Sequence, residues 1–382
     1  MRWILIASIS IGMCLVLPGE TPAQTIPAGN TGKILPILPM PNRMPAAVEY
    51  PRATESDHTL KDFKFRDGHT MDIHMHVRTI GTPKTDAAGK TTNAVLIMHG
   101  TTGSGSQFTV PGFAGQLFGK GQLLDAEKYF LIMPDDIGHG QSSRPSEGMH
   151  AKFPNYGYED MIEGEYRLLT EGLKVNHLRL CMGTSMGGMH TWLWGEDHPD
   201  FSDALMPLAS VPDQIAGRNR IWRRIIIDAI RQDPEWKGGD YTAQPRGLSQ
   251  AMAMMDFVAD NPSHVLEQQP TLAAADKALD QYIAQNVRTH DANDVLYAFE
   301  ASKDYDPWPR LEKITAPLLA INSADDLVNP PDIQVLQRGI EKVKNGHAVV
   351  LPQTPATRGH GTHTSPWIWM GYLEMLIKES EK

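Results

Sequence analysis

A serine flanked by glycines, set between an apolar run and a helix-like run, constrains this chain more than any other feature. Gly183-Thr184-Ser185-Met186-Gly187 is a G-x-S-x-G pattern. Leu178, Leu180 and Met182 precede it as a strand-like run, and Met189 to Trp194 follow as a helix-like run. A chain that passes so sharply from strand to helix must hold the serine in a strained backbone conformation. Glycines two before and two after let neighbouring backbone pass without Cβ clashes. The Ser185 hydroxyl then stands above the sheet at a helix N-terminus, whose dipole favours nearby negative charge. The other strands of such a sheet are expected elsewhere in the chain.

They are legible. Ala94–Met98 and Tyr129–Met133 are continuous apolar runs, the pattern of parallel strands buried on both faces. Further strand-like runs are Ala204–Ala209, Ala316–Ile321 and Ala348–Leu351, with helix-like runs at Tyr158–Leu173 and Ser365–Glu379. Strand and helix in alternation predict an α/β class protein with a doubly wound, mostly parallel sheet. Phe63–Phe65, the turn Asp67-Gly68 and Met71–Val77 read as an antiparallel hairpin at its start. His74 and His76 share one face of that hairpin and are expected at polar surface positions, because a metal pair has no third ligand in view. Between about 213 and 304 the strand signal disappears, and Arg218–Arg231, Leu248–Val258, Ala273–Asn286 and Asp294–Ala301 read as helices. This block interrupts the sheet and is expected to lie over the strand ends as a helical cap. The domain is placed at 58–382, preceded by a proline-rich arm over 24–57 that is read as extended chain on the surface or a linker.

Residues 1–23 are read apart from the fold. Arg2, the apolar stretch Trp3–Leu17 and the breaker Pro18-Gly19 form a secretory signal peptide with a cut expected at Ala23/Gln24. The apolar run is short for a membrane span, and Cys14 has bulky Met13 before it where a lipoprotein needs a small residue. The mature protein is therefore expected to be secreted or periplasmic, with no stable membrane insertion. Cys14 leaves with the signal and Cys181 remains alone, which excludes an internal disulfide and a cysteine zinc cluster. Cys181 reads as a small buried hydrophobe. A net charge of −10 without a basic cluster argues against nucleic acid or an anionic membrane surface as partner.

The chain resembles the α/β-hydrolase superfamily and, more narrowly, its homoserine O-acetyltransferase-like branch. The narrower likeness rests on Gly183–Met189, on Phe153-Pro154 with Asp160-Met161, on Ile230–Tyr241 with its Asp233-Pro234-Glu235-Trp236 and Gly238-Gly239-Asp240-Tyr241, and on Asp291-Ala292-Asn293 with Tyr305-Asp306. Two segments depart from the branch. Ile137–Pro145 replaces the transferases' Thr-Gly-Pro-Ser-Ser loop, and His99-Gly100-Thr101-Thr102-Gly103 also looks hydrolase-like.

The resemblance implies a nucleophile, an acid and a histidine in that order along the chain. A serine hydroxyl needs a base, and the base an orienting acid. After Ile321 come Asp325 and Asp326; after Leu351 come His360 and His363. Hydrolases of this type often carry an acid four residues before a proline, which favours Asp326 with Pro330 over Asp325. The Gly359-His360 pair likewise favours His360 over His363, which is left to line the pocket. The oxyanion donors are expected from the N–H of Met186 and the N–H of Thr101. His99 and His139 are read as structural. The expected activity is cleavage of a small ester-like acyl substrate through an acyl-enzyme on Ser185, without cofactor or metal. Two alternatives stand beside it: an O-acyltransferase of the homoserine O-acetyltransferase type, and a non-catalytic binding protein on a hydrolase scaffold. Export favours hydrolysis, because acetyl-CoA is a cytosolic metabolite.

Overall fold

Strand order in the sheet is β1-β2-β4-β3-β5-β6-β7-β8, in a computed structural model that describes residues 32–41 and 43–381. The signal-peptide reading over 1–23 falls outside the described residues. The hairpin is β1 (Thr54–Lys64) and β2 (Thr70–Ile80). Then follow β3 (Ala94–Met98), the short helix α1 (Ala114–Leu117), β4 (Phe130–Pro134), α2 (Tyr158–Arg167), β5 (Leu180–Thr184), α3 (Met186–Asp197) and β6 (Leu205–Leu208). The helical block comprises α4 (Gly217–Arg231), α5 (Arg246–Ala259), α6 (Pro262–Gln268), α7 (Leu272–Thr289) and α8 (Ala292–Glu300). The sheet resumes with β7 (Leu318–Ser323), and α9 (Val335–Ile340), β8 (Gly346–Leu351) and α10 (Pro366–Glu379) close the chain. β1 and β2 run antiparallel to each other, β2 is antiparallel to β4, and every other pairing is parallel. This is the α/β-hydrolase fold.

The strand sequences explain the layering. Side chains on a strand alternate between its faces. In β3, Ala94, Leu96 and Met98 join one apolar cluster, while Val95 and Ile97 join another on the opposite face. β4 repeats this with Phe130 and Ile132 against Leu131 and Met133, and β7 with Leu318 and Ala320 against Leu319 and Ile321. The continuous apolar runs are thus two interleaved buried faces. Helix α3 lies between the sheet and α2, and its residues Met186 to Glu196 are all buried, as an all-round apolar helix must be. On the other face α10 contributes Trp369, Tyr372, Leu373 and Leu376.

The described part of the N-terminal arm, from residue 32 onward, belongs to the body of the protein. Ile34 pairs with Ala348 at the free edge of β8, where Leu35 N donates to Ala348 O at 2.8 Å and Ala348 N to Lys33 O at 2.8 Å. Capping an edge strand in this way hides its open backbone groups. β1 already starts at Thr54, ahead of the expected domain start at His58. Its first residues alternate exposed and half-buried on the sheet edge, so they carry no apolar signal. A second correction concerns His76. It is 4% exposed rather than a surface residue, because Asp57 accepts from its Nδ1 at 2.6 Å and Gln141 lies at 3.2 Å from Nε2. His74 remains half-buried, 3.1 Å from the same Asp57 carboxylate.

The helical block has a core of its own. Trp222, Ile226, Ile227 and Ile230 of α4 pack with Leu248, Met252, Val295 and Phe299. α7 buries no residue. Among the described residues no helix is long and apolar enough to cross a membrane.

Candidate active site

The nucleophile turn is built as its glycines dictate. Ser185 has φ +56° and ψ −109°, a conformation costing about 1–3 kcal/mol for a residue with a Cβ. Backbone bonds on several sides hold it there: Ser185 N donates to Leu208 O at 2.9 Å, Met189 N to Ser185 O at 2.9 Å and Gly187 N to His99 O at 2.9 Å. A Cβ on Gly183 would lie 2.2 Å from Gly187 O, and one on Gly187 would lie 2.1 Å from Met98 O. Neither position accepts a side chain.

Three sequence-distant residues meet at the carboxyl edge of the sheet, where open α/β sheets place their sites. His360 Nε2 is 2.8 Å from Ser185 Oγ, and His360 Nδ1 is 2.8 Å from Asp326 Oδ2. An ionised Asp326 accepts a hydrogen bond from the Nδ1–H of His360, which leaves Nε2 as the acceptor facing the serine hydroxyl. Asp326 is 1% exposed. Burial alone would raise its pKa. The His360 charge and hydrogen bond, with the N–H groups of Asn329 and Val328, overcome burial and hold it below the usual carboxylate range. The competing residues turn elsewhere. Asp325 accepts from Ser323 Oγ, Asn261 Nδ2, Thr357 Oγ1 and Gly359 N, away from the imidazole. His363 donates from Nδ1 to the carbonyl of His360 at 2.5 Å. Burial lowers its pKa to about 3, so it stays neutral.

The expected oxyanion donors flank Ser185. Met186 opens α3, and no turn or loop carbonyl among the described residues takes its amide or that of Thr101. Gly100, next to Thr101, has its ideal Cβ position 3.5 Å from Ser185 Cβ. Gln107 Nε2 braces this loop by donating to Thr184 Oγ1 at 3.0 Å. His99 is fully buried behind it; its Nδ1 donates to Gly100 O at 2.8 Å and its Nε2 accepts from Asp136 N at 3.1 Å. His139 Nδ1 donates to Ile137 O at 3.0 Å. Both histidines shape loops.

A cavity of about 260 Å³ opens on Ser185 and His360, with Met189, Asn219, Arg223 and Tyr305 in its wall. A larger hollow of about 1290 Å³ along α4 includes none of the triad. Arg223 escapes the sequence reading. It is 2% exposed and hydrogen-bonds Asn219 Oδ1 at 2.9 Å and Ser302 Oγ at 3.1 Å, with no carboxylate partner among the described residues. The available signal was its place on the Trp222/Ile226/Ile227/Ile230 face of α4, where a charge has no reason to be buried without a task.

A second unforeseen cluster lies under the oxyanion loop. Asp136, Glu165 and His190 are buried, with ligand atoms within 4.8 Å of one another, and are the one such trio among the described residues that could hold a metal. Glu165 already accepts from His190 Nδ1 at 3.1 Å and from Trp194 Nε1.

Comparison with known proteins agrees with this fold. Residues 93–354 match the α/β hydrolase fold family. A homoserine O-acetyltransferase from Pelobacter propionicus is 30% identical over 299 residues, 68% of this chain and 78% of that protein. The crystal structure of a homoserine O-acetyltransferase from Bacillus anthracis superposes with a TM-score of 0.74 at 21% identity, covering 86% of this chain and 98% of that one. An acetylester hydrolase from Corynebacterium glutamicum gives 0.73 at 18% identity, covering 85% and 96%. The chain belongs to the α/β-hydrolase fold family, in its homoserine O-acetyltransferase-like branch.

Proposed function

We propose that this enzyme transfers an acyl group through Ser185 to the hydroxyl of a small, carboxylate-bearing acceptor, in the manner named for its homoserine O-acetyltransferase relatives. His360 takes the Ser185 proton as Oγ attacks the acyl carbonyl, and Asp326 stabilises the imidazolium that forms. The amides of Met186 and Thr101 receive the oxyanion. When the tetrahedral intermediate collapses, His360 returns its proton to the leaving group. It then deprotonates the acceptor hydroxyl, which attacks the Ser185 ester, and the proton ends on the regenerated serine.

The observation that carries the acceptor class is Arg223. A guanidinium buried in the wall of the Ser185 cavity without a carboxylate partner is costly unless substrate completes it. Arg223→Gln is expected to raise the KM for the acceptor about 10- to 100-fold with kcat changed less than about 3-fold, the size of a lost charge-assisted hydrogen bond. Steady-state kinetics over an acceptor series with and without the carboxylate measures this. Loss of discrimination between the two acceptors in the variant supports the role; an unchanged KM removes it.

Water is the second acceptor to test, and the N-terminal reading favours it. If Arg2 and Trp3–Leu17 direct export, acetyl-CoA is out of reach and an ester donor with water as acceptor takes its place. Purified protein given acetyl-CoA or p-nitrophenyl acetate, with and without homoserine, separates the two by product mass. O-acetylhomoserine formation supports transfer. Acetate alone, at a rate that homoserine does not alter, overturns transfer in favour of hydrolysis.

A further inference from the structure

We propose that Asp325 is a positioning residue that fixes the base His360 and ties it to the helical cap, through Asn261 at the joint between α5 and α6. The proposal rests on Ser185 and His360 being the working pair.

Asp325 is 8% exposed and gathers donors from three separate segments. Ser323 Oγ belongs to its own strand end. Asn261 Nδ2, at 2.8 Å, belongs to the cap. Thr357 Oγ1 at 2.8 Å and Gly359 N at 3.1 Å belong to the loop that carries His360. Asn261 also donates to Thr357 O at 2.9 Å, so the cap grips the loop twice. Asn261 and Thr357 are 2% and 1% exposed, and no lysine or arginine pairs with Asp325 among the described residues. A buried carboxylate whose lone pairs all go to backbone and neutral donors from separate segments acts as a pin.

The residue before His360 is pressed against the same joint. Gly359 has φ +55°, and a Cβ there would lie 2.9 Å from Asn261 N and 3.0 Å from Asp260 C. Any displacement of the chain at Asp260–Asn261 is therefore transmitted to Gly359. From there it reaches an imidazole that must stay within hydrogen-bond reach of Ser185 Oγ, now at 2.8 Å. The neighbouring acids thus divide the work. Asp326 holds the ring of His360, and Asp325 holds the backbone from which that ring hangs.

The rate constant for labelling of Ser185 by a fluorophosphonate, followed by intact mass on the full chain, tests this without knowledge of the natural substrate. Asp325→Asn keeps the shape and the acceptor oxygen for Asn261, Thr357 and Gly359, while its NH2 can face Ser323 Oγ. It should label within about 3-fold of wild type. Asp325→Ala should label about 100-fold more slowly and Asn261→Ala about 10-fold more slowly, the scale of a base displaced by a fraction of an ångström to one ångström. Rates refer to the folded fraction, measured by thermal unfolding on the same samples. A role confined to stability would lower the midpoint and leave the rate per folded site unchanged, and that result overturns the proposal. So does Asp325→Asn as slow as Asp325→Ala, since charge rather than position would then be the agent. If Asp325→Ala does not fold, Asn261→Ala and Asp325→Asn decide. A wild-type protein inert to the probe removes the nucleophile reading itself, and the proposal with it.

Discussion

His360→Ala is expected to slow acylation of Ser185 by about 10⁴- to 10⁶-fold, and Ser185→Ala to abolish the acyl-enzyme altogether, with folding intact in both. The reason lies in the two 2.8 Å contacts that join Ser185, His360 and Asp326. At neutral pH a serine hydroxyl without its base is almost never ionised. Asp326→Asn keeps the shape of the acid but lets the imidazole sit in the wrong tautomer, at a cost of about 10⁴-fold. His363→Ala makes the contrast. It removes a donor from the His360 carbonyl but no group that faces the serine, so acylation should stay within about 10-fold of wild type, alongside a loss of about 1–3 kcal/mol in stability from the orphaned carbonyl. Pre-steady-state labelling with mass detection reads all four variants. Retained acylation in His360→Ala, or its loss in His363→Ala, would mean that the base has been misassigned.

The parts of this site legible in the sequence are those that chemistry forces into a short local pattern. The G-x-S-x-G turn is one, since Gly183 and Gly187 have no room for a side chain. Three central strands are another: burial on both faces leaves nothing but apolar residues in β3, β4 and β5 apart from the turn residues themselves. Asp326 and His360 follow because both stand just past strand ends. What stayed hidden is defined by space rather than by order along the chain. Arg223 is one arginine among several in α4, marked in the sequence only by its place on the apolar face, and its packing between Trp222 and Phe299 is visible in space alone. The seven-residue α6 is too short to show a period, although Asn261-Pro262 gives it a cap and a first residue. In the sequence Asp325 reads as a rival to Asp326 or as a cap of its loop. Its own partners, Asn261 and Thr357, stand 64 and 32 residues away. Asp136, Glu165 and His190 come from a loop and two helices and share no motif at all.

That last cluster leads to the second large effect. Asp136→Asn is expected to flatten a loss of stability that the wild-type protein undergoes above about pH 6.5. No N–H or hydroxyl donor reaches the Asp136 oxygens among the described residues; Glu165 is their side-chain hydrogen-bond partner, and the imidazoles of His99 and His190 lie at 3.7 and 3.6 Å. Burial first, and the Glu165 charge second, hold the Asp136 carboxyl well above the usual range. Burial raises Glu165 to about 7 and Glu196 to about 8. Each group keeps a proton in the native state that the unfolded chain has lost, so stability falls as pH rises, by about 1.4 kcal/mol per pH unit per group. The contribution of Glu165 ends near pH 7 and that of Glu196 near pH 8, while that of Asp136 continues for as long as the native carboxyl keeps its proton. Buried histidines act with the opposite sign. His139 and His363, lowered by burial to about 3, stay neutral in the native state while the unfolded chain charges below about 6.5. Their contribution is complete above pH 6.5 and is lost as pH falls through the acid range, offsetting the carboxyls there. Above pH 6.5 the carboxyls act alone. The side-chain amide that Asp136→Asn introduces can donate to Glu165 as a protonated acid would, with no proton to lose. Denaturant unfolding at pH 6.5 and 8.5 should therefore show the variant losing less stability than wild type across that interval. Parallel curves would mean that Asp136 is already ionised at pH 6.5 and that a cation, rather than a proton, balances its charge against Glu165.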